Sequence, residues 1–434
     1  MNEPASTSMA GCRICRKADD MEILYSFGEM PVAGYLETSL ALAKTTPRLN
    51  NSIAICKACG LVQQAFNEAH ELLVERVYSN YQPTYSMSDK VRQYMAFFLD
   101  LAFQNARVLE NDYVMEVGSN DSAVLALVKD RGFKPVGFDP SANIASPLTS
   151  GALVIKDFFG FGTAQEFVDA YGKVKLIFSR HTLEHIFDPL DFFQGIESAL
   201  APEGIAVIEV PYLRLQIMNN QFQSMTFQHI CFFTVTSLLT MLGKVDLELF
   251  GVEFSTMDAG SMIALIRKSN RKSNTPTTTE RILDFERALE LDQAAGYDAF
   301  FSYVDRQRAY IRDYFESQCR KSVSVVAYGA GSKGQAMLNM LKIDADTISY
   351  VIDDTPGYSG RFVPGVGTEV INSKDARAQA ASIVFVTAPT HIQEIVSKRE
   401  AWIARGVTFV GTAPGFHFLM SQDLSPTAQL GFHV

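Results

Sequence analysis

The sequence predicts an α/β protein: two parallel sheets in tandem behind a small cysteine-rich module. Three observations carry this. The apolar run Tyr113 to Val117 ends in Gly118-Ser119-Asn120-Asp121 and leads into an apolar helical segment, Ala123 to Val128. Strand, glycine turn and helix in that order open a nucleotide-binding sheet. The same order returns at Ser324 to Tyr328, where Gly329-Ala330-Gly331-Ser332-Lys333-Gly334 follows. Ahead of both, Cys12/Cys15 and Cys56/Cys59 stand as two C-x-x-C pairs.

A chain of 434 residues is long enough for two or three domains, each with its own core. A net charge of −10 argues against a broad nucleic-acid face, which has to be basic. Apolar runs are too short for a membrane span, and Met1 to Ala10 lacks the apolar core of a signal peptide. A cytosolic location is expected. There disulfides are rare, so the paired cysteines read as a zinc clamp. Four thiolates leave no open coordination position, which makes the zinc structural. The first 75 residues show little apolar periodicity, and a module that small needs such a staple. Cys231 and Cys319 are expected as buried fillers.

In the first sheet, Gly118 admits close approach of a ligand that a side chain would block. The turn has no G-x-G-x-x-G or Walker pattern, so it is not a phosphate cradle. It carries Glu116 and Asp121, acids suited to hydroxyls, an amino group and a sulfonium, which points to S-adenosylmethionine. Pro135 to Phe138 reads as the second strand, with Asp139-Pro140 at its carboxyl end. Asp139 suits the ribose hydroxyls. Leu153 to Ile155 is the third strand, with Asp157 for the adenine amine and Phe158 beside the ring. Val174 to Phe178 is the fourth, followed by Ser179 and His181. Ala206 to Val210 is the fifth. Ser119, Asn120, Ser179 and His181 complete the expected cofactor contacts, and Asp188 to Leu200 is the helix after strand four. His181 and His185 stand at i, i+4 without a third ligand nearby, so no metal is read there. His185 is expected to be structural.

The segment Lys268 to Thr279 is polar and reads as a linker. Helical spacing follows in Ile282, Phe285, Ala288 and Leu289, and again in Phe300, Val304, Ile311 and Phe315. Both stretches read as amphipathic helices packing between domains. Gly329 to Gly334 is a complete G-x-G-x-x-G, and Asp353 and Asp354 end the next strand. By itself this is a dinucleotide site, with NAD as its ligand.

The ordered set resembles the class I methyltransferase fold. More closely, the chain resembles the three-part sugar C-methyltransferases that act on nucleotide-linked keto-deoxysugars. The resemblance runs from about Cys12 to Pro414. Its most specific pieces are the cysteine pairs with Gly60-Leu61-Val62-Gln63, Glu116 to Asp121, Leu183-Glu184-His185-Ile186, and Tyr328 to Gly334. It implies a class I (Rossmann-like) methyltransferase core at 76–268, a zinc module at 1–75, helices at 269–320 and a second Rossmann-like domain at 321–434. In that last domain the glycine turn would serve the nucleotide diphosphate of the sugar, with Tyr328, Gly331 and Lys333 in contact. The tyrosines of Val77 to Met87 would form a lid, with Tyr78 and Tyr81 facing the site, where a plain surface loop is the other reading.

The resemblance also implies a catalytic stretch at Phe222 to His229. The family has Tyr and Glu where this chain has Thr226 and Gln228, and His229 is retained. A later His-Gly-Gly-Ser-x-Arg turn reads Asp258-Ala259-Gly260-Ser261-Met262-Ile263, without its first His and its Arg. C-methylation requires a base beside the ketone, a role for His229, and a donor for the enolate oxygen, a role for Thr226 or Gln228. The rival readings are O- or N-methylation of a related carbohydrate or natural-product precursor, an NAD-linked oxidoreductase at Gly329 to Gly334, and a non-catalytic scaffold. The partner expected is a small molecule, with no nucleic acid and no membrane.

Overall fold

The computed structural model describes residues 11–32, 34–66, 89–141, 151–257, 260–269, 277–412 and 417–419. By their contacts the residues fall into two compact units that do not follow chain order. The first comprises Met1–Leu24, Ile53–Leu215 and Gln228–Tyr297; the second comprises Tyr25–Ser52, Gln216–Phe227 and Asp298–Val434.

The cysteine-bearing N-terminal part contains three strands: β1 (Met21–Pro31), β2 (Arg48–Cys56) and β3 (Val62–Gln64). Periodicity does not reveal β2 and β3 because buried positions carry polar residues, and β1 is mostly exposed or half-buried. Asn51, Ser52, Gln63 and Gln64 are as buried as Ile53 and Ile55. Some of their polar atoms are matched by residues far along the chain: Asn51 Nδ2 donates to the Met225 carbonyl at 3.0 Å, and Gln63 Oε1 accepts from Arg13 N at 2.9 Å. Such pairing removes most of the penalty for burying an amide.

The first unit is built on a seven-stranded sheet. Its strands are β4 (Tyr113–Val117), β5 (Lys134–Phe138), β6 (Leu153–Ile155), β7 (Val174–Arg180), β8 (Leu200–Pro211), β10 (Leu247–Ser255) and β11 (Ser261–Lys268), with β9 (Cys231–Phe232) pairing instead with β3. The order is β10-β11-β8-β7-β4-β5-β6. Strands β4 to β8 are mutually parallel, while β11 runs antiparallel to both β8 and β10. Winding starts at β4, proceeds outward to β6, then returns to β7 on the other side. This makes the β4/β7 boundary the switch point, where ligands of open α/β sheets bind at the carboxyl ends. Strand β8 is longer than the expected Ala206–Val210. Leu200 already pairs with Val174, and a register shift between Val174 and Leu176 absorbs the residues between.

One face of this sheet is covered by the helix Asp89–Asn105, whose Met95, Phe98, Leu99 and Ala102 pack with Val114, Phe178, Val207 and Ile263. The helix Pro189–Ala199 begins as the sequence requires: Asp188 caps it by accepting from Asp191 N at 3.2 Å, and Pro189 takes the first turn.

The helix Thr277–Ala288 corrects one expectation. Phe285 and Leu289 are exposed, and the buried residues are Thr279 and an acid, Glu286. The Glu286 carboxylate accepts from Tyr212 Oη at 2.7 Å, from the backbone N–H of Val235 and of Thr236 at 2.8 Å each, and from Thr236 Oγ1 at 2.6 Å. An anion on the open N–H groups of the helix Val235–Leu242 is favoured both by hydrogen bonding and by the helix dipole.

The second unit holds a six-stranded sheet: β12 (Val325–Tyr328), β13 (Val351–Ile352), β14 (Val370–Ile371), β15 (Ile383–Val386), β16 (Thr408–Gly411) and β17 (His417–Leu419). The order is β14-β13-β12-β15-β16-β17, parallel except for β17. The helix Asp298–Arg320 buries Phe300, Val304, Ile311 and Phe315, the periodic residues of the sequence, within this unit. The long insertion between the cysteine pairs also belongs here: Glu37 bridges Phe362, and Gly365 N donates to the Ala43 carbonyl at 2.7 Å. Among the described residues no helix is long and apolar enough to cross a membrane.

Candidate cofactor and catalytic site

The carboxyl ends of β4 and β7 carry a concentration of backbone strain. Gly118 (φ 82°) is joined in the left-handed region by three residues with side chains: Asn120 (44°), Ser122 (61°) and His181 (48°). Such conformations cost on the order of 1 kcal/mol or more each and collect where a chain must present its backbone to a ligand. The β4 turn is fixed from β5, with Gly118 N and Ser119 N donating to the Phe138 carbonyl.

Asp139 sits at the end of β5 as expected, but its carboxylate first organises the loop. Oδ2 accepts from Asn120 N and Oδ1 from Ser141 N, both at 2.8 Å. Asp121 Oδ1 accepts from Ala123 N at 3.2 Å at the start of the next helix. Glu116 is 4 % exposed and points one oxygen, Oε2, at no partner. Burial drives its carboxyl well above the ordinary range, with Asp121 and Asp139 adding repulsion and Arg180 opposing. The Ser119 hydroxyl, also buried, lacks a partner too.

Five expected contacts look different in the structure. Ser179 is fully buried and donates to the Val117 carbonyl at 2.8 Å, so its hydroxyl ties β7 to β4. Asp157 and Pro140 are exposed, and Asp157 Oδ1 accepts from its neighbour Phe158 N; the Phe158 ring is 59 % exposed. The space over Gly118 is taken by Thr182, whose Oγ1 would lie 2.1 Å from an added Cβ. The close approach that needs glycine is therefore to the chain itself.

Beyond β7 the chain makes a short turn, Leu183–His185, and the segment Gln228–Ile230 is stapled to it. Ile230 N donates to the Glu184 carbonyl at 2.7 Å, and His185 Nδ1 donates to the Gln228 carbonyl at 2.7 Å. The His185 and His229 rings then meet edge to face, centroids 5.0 Å apart. His185, expected to be structural, ties the two segments through its bond to Gln228. His181 reaches back, with Nδ1 3.5 Å from Glu184 Oε1. Glu184 is 2 % exposed and His229 7 %. Burial raises the Glu184 carboxyl, but the imidazoles of His181, His185 and His229 outweigh it and hold it below the ordinary range. One ligand-type atom each from Glu184, His185 and His229 lies within 4.8 Å of the others. The expectation that His185 has no further metal-capable residues near it is thus corrected; the fold brings a residue from 44 positions downstream. Gln228, buried, shares this turn. Thr226, also buried, belongs by its contacts to the second unit.

Sequence reasoning also missed the pair Arg180–Glu209. Arg180 Nε donates to Glu209 Oε2 at 2.8 Å with both side chains almost fully buried. Glu209 Oε1 accepts from Ser255 Oγ at 2.9 Å and from Tyr94 Oη. An acid inside the apolar run of β8 was the available signal.

Comparison with known proteins adds to this geometry. Residues 86–250 match the family model of a methyltransferase domain, and residues 256–414 that of a C-methyltransferase C-terminal domain. The C-methyltransferase NovU of Streptomyces niveus is 25% identical over 404 residues, 93% of this chain and 95% of that one. The chain is an S-adenosylmethionine-dependent methyltransferase. The resemblance read from the sequence is borne out by both matched models, and so is the Rossmann-like α/β class. Solved structures that it resembles include the N-methyltransferase NodS of Bradyrhizobium japonicum (12% identity, 46% of this chain and 99% of that one, TM-score 0.35). Another is the 1,6-didemethyltoxoflavin-N1-methyltransferase of Burkholderia thailandensis (14% identity, 50% and 96%, TM-score 0.36).

In the methyltransferase's second unit, Gly331 precedes the helix Ser332–Met340, and an added Cβ there would meet nothing within 4 Å. Gly334 is needed for packing, since a Cβ would fall 2.2 Å from the Gly329 carbonyl oxygen. Lys333 is half-buried on the same turn. Tyr328 Oη donates to Asp354 Oδ2 at 2.6 Å and accepts from Arg399. Both acids that suggested a dinucleotide are engaged: Asp353 Oδ2 accepts from Ala330 N at 2.7 Å, and Asp354 is paired with Arg399 at 2.6 Å. An acid so paired is a poor partner for ribose hydroxyls, and the match of this region to a C-methyltransferase domain leaves the oxidoreductase reading without support.

The four paired cysteines converge. Cys12 and Cys59 sulfurs are 3.4 Å apart, as are those of Cys15 and Cys56, and all four lie within 4.8 Å of one another. No disulfide links them. A tetrahedral zinc with Zn–S of about 2.3 Å places its sulfurs about 3.8 Å apart, so this donor set fits. The Cys59 thiol pulls Cys12 down to about 5, while burial pushes Cys56 up to about 11. Cys231 is buried as expected; Cys319 is half-buried and donates to the Thr347 carbonyl at 3.3 Å. Tyr78, Tyr81, Asp258 and Ala259 lie outside the described residues.

Proposed function

We propose that this enzyme transfers the methyl group of S-adenosylmethionine to a carbon beside a ketone on a nucleotide-linked deoxysugar, with His229 as the base. The observation that carries this is the placement of His229: a buried imidazole, stapled by Gln228 and Ile230 to the turn that follows β7. The matched C-methyltransferase domain and the relative NovU support transfer to carbon. Glu116, Gly118 to Asp121 and Asp139 frame the cofactor: the unpartnered Glu116 and Ser119 oxygens suit a ligand that brings donors. Asp157, Phe158, Ser179 and His181 complete the proposed ring of contacts, Ser179 through its backbone. Tyr328, Gly331 and Lys333 are proposed for the nucleotide, on the strength of the open space at Gly331. Zinc held by Cys12, Cys15, Cys56 and Cys59 would be structural, and no step of the reaction runs through it. The loss of the family's Tyr and Glu at 226 and 228 keeps O- or N-methylation as the second reading.

The test is to incubate the enzyme with S-adenosylmethionine and a panel of nucleotide-linked keto-deoxysugars, locating the new methyl group by carbon NMR. A methyl on carbon is expected; a methyl on oxygen or nitrogen would overturn the enolate mechanism. In His229→Ala, turnover should fall by roughly two to four orders of magnitude with cofactor affinity kept. Exchange of the sugar's α-proton into heavy water should fall with it.

A further inference from the structure

We propose that Glu184 is the positioning residue for the base, supplying the carboxylate that position 228 lacks. The inference rests on the reading of His229 as base. Four observations converge on it. Glu184 is buried beside His229, and one of its oxygens, Oε2, has no hydrogen-bond partner. A buried, ionised carboxylate is costly unless something pairs with it. Its other oxygen faces His181 Nδ1 at 3.5 Å. His185 spends its Nδ1 proton on the Gln228 carbonyl, so in its neutral form its remaining nitrogen has no proton to offer. His229 is the third imidazole beside this carboxylate, a ring nitrogen within 4.8 Å of one of its oxygens, and it draws the carboxyl towards its charged form. The other charged groups nearby do not replace it: Glu209, whose Oε1 is 3.9 Å from His181 Nε2, is paired with Arg180 and bonded to Tyr94 and Ser255.

The role follows from charge. When the sugar's α C–H bond breaks, its electron pair becomes the enolate and the proton goes to His229. The enolate carbon bonds to the methyl group as the S–CH3 bond breaks, which leaves S-adenosylhomocysteine and a protonated His229. Glu184 turns that imidazolium into half of a neutral pair, the service a buried aspartate gives a catalytic histidine in acyl transfer. Without the carboxylate the imidazolium is less stable, so the base is weaker and titrates at lower pH.

The experiment compares Glu184→Gln and Glu184→Asp with wild type by kcat and KM across pH, by calorimetry with S-adenosylmethionine and by thermal midpoint. Glu184→Gln should lose at least roughly tenfold in kcat with cofactor affinity unchanged, and the acid limb of its kcat profile should move to lower pH. Glu184→Asp keeps the charge. It should retain the wild-type limb and recover part of the turnover, and it remains informative if the Gln variant does not fold. A limb that stays fixed in Glu184→Gln, or moves in Glu184→Asp, overturns the proposal. So does a second metal ion per wild-type chain that both Glu184→Gln and His229→Ala lose, since the cluster would then be a metal site. Full turnover in His229→Ala is a separate outcome; it removes the base and the need for its partner together.

Discussion

At the scale of single residues, two buried glutamates of the first unit show how position decides chemistry. Glu184 faces three imidazoles and is held low; Glu116 faces Asp121 and Asp139, has one free oxygen and is driven high. For Glu116 the folded pKa exceeds the unfolded one, so between the two values the folded state binds more protons. Its contribution to stability is present below the unfolded pKa, near 4, and is lost as pH rises through the folded value. Glu116→Gln should therefore gain stability at neutral pH relative to wild type, with no gain at pH 3, while binding S-adenosylmethionine more weakly. Urea unfolding at the two pH values, with calorimetry, checks this. Gly118 offers a poorer probe of the ligand. At φ 82° and against Thr182, any side chain there strains the turn before a cofactor is involved.

At the scale of elements, Glu286 replaces the apolar stripe that periodicity suggested for Thr277–Ala288. Helical spacing of Ile282, Phe285 and Leu289 identified a helix correctly, but not which face is buried. Four hydrogen bonds from Tyr212, Val235 and Thr236 decided that, because a carboxylate with four donors is cheap to bury and the donors are costly to leave open. Glu286→Ala should destabilise the protein by about 3 kcal/mol, as breaking a buried charged network does. A loss below about 0.5 kcal/mol by urea unfolding would show that water replaces the carboxylate. Strands β4 to β7 were legible within a residue or two because buried parallel strands are continuous apolar runs. Strands β2 and β3 were not, because asparagine and glutamine occupy buried positions and are matched by distant partners, and β1 buries too few residues to show a pattern.

At the scale of the whole molecule, the C-x-x-C pairs and their 40-residue separation are one feature. Both pairs lie in the first unit, while the chain between Tyr25 and Ser52 is spent in the second. A four-thiolate zinc would then fix the points where β1 departs and β2 returns. Wild type should carry one zinc per chain, and Cys56→Ser should lose it and unfold at lower temperature. Metal analysis and a thermal scan report the two effects, and a metal-free protein that unfolds at the same temperature would end this reading.

The sequence by itself determined the α/β class, the order of the central strands, the glycine turns and the cysteine set. These depend on local periodicity and on short spacings, which a chain displays before it folds. It also singled out His229. Only the tertiary structure decided what His229 faces. Glu184 precedes it by 45 positions, sits in a motif that reads as a structural junction, and becomes its neighbour because Gln228 and Ile230 bond to the turn after β7. The same holds for Glu286 on the helix Val235–Leu242 and for Arg180 on Glu209. A buried charge takes its meaning from its partner, and partners brought together by long-range closure leave no period in the sequence.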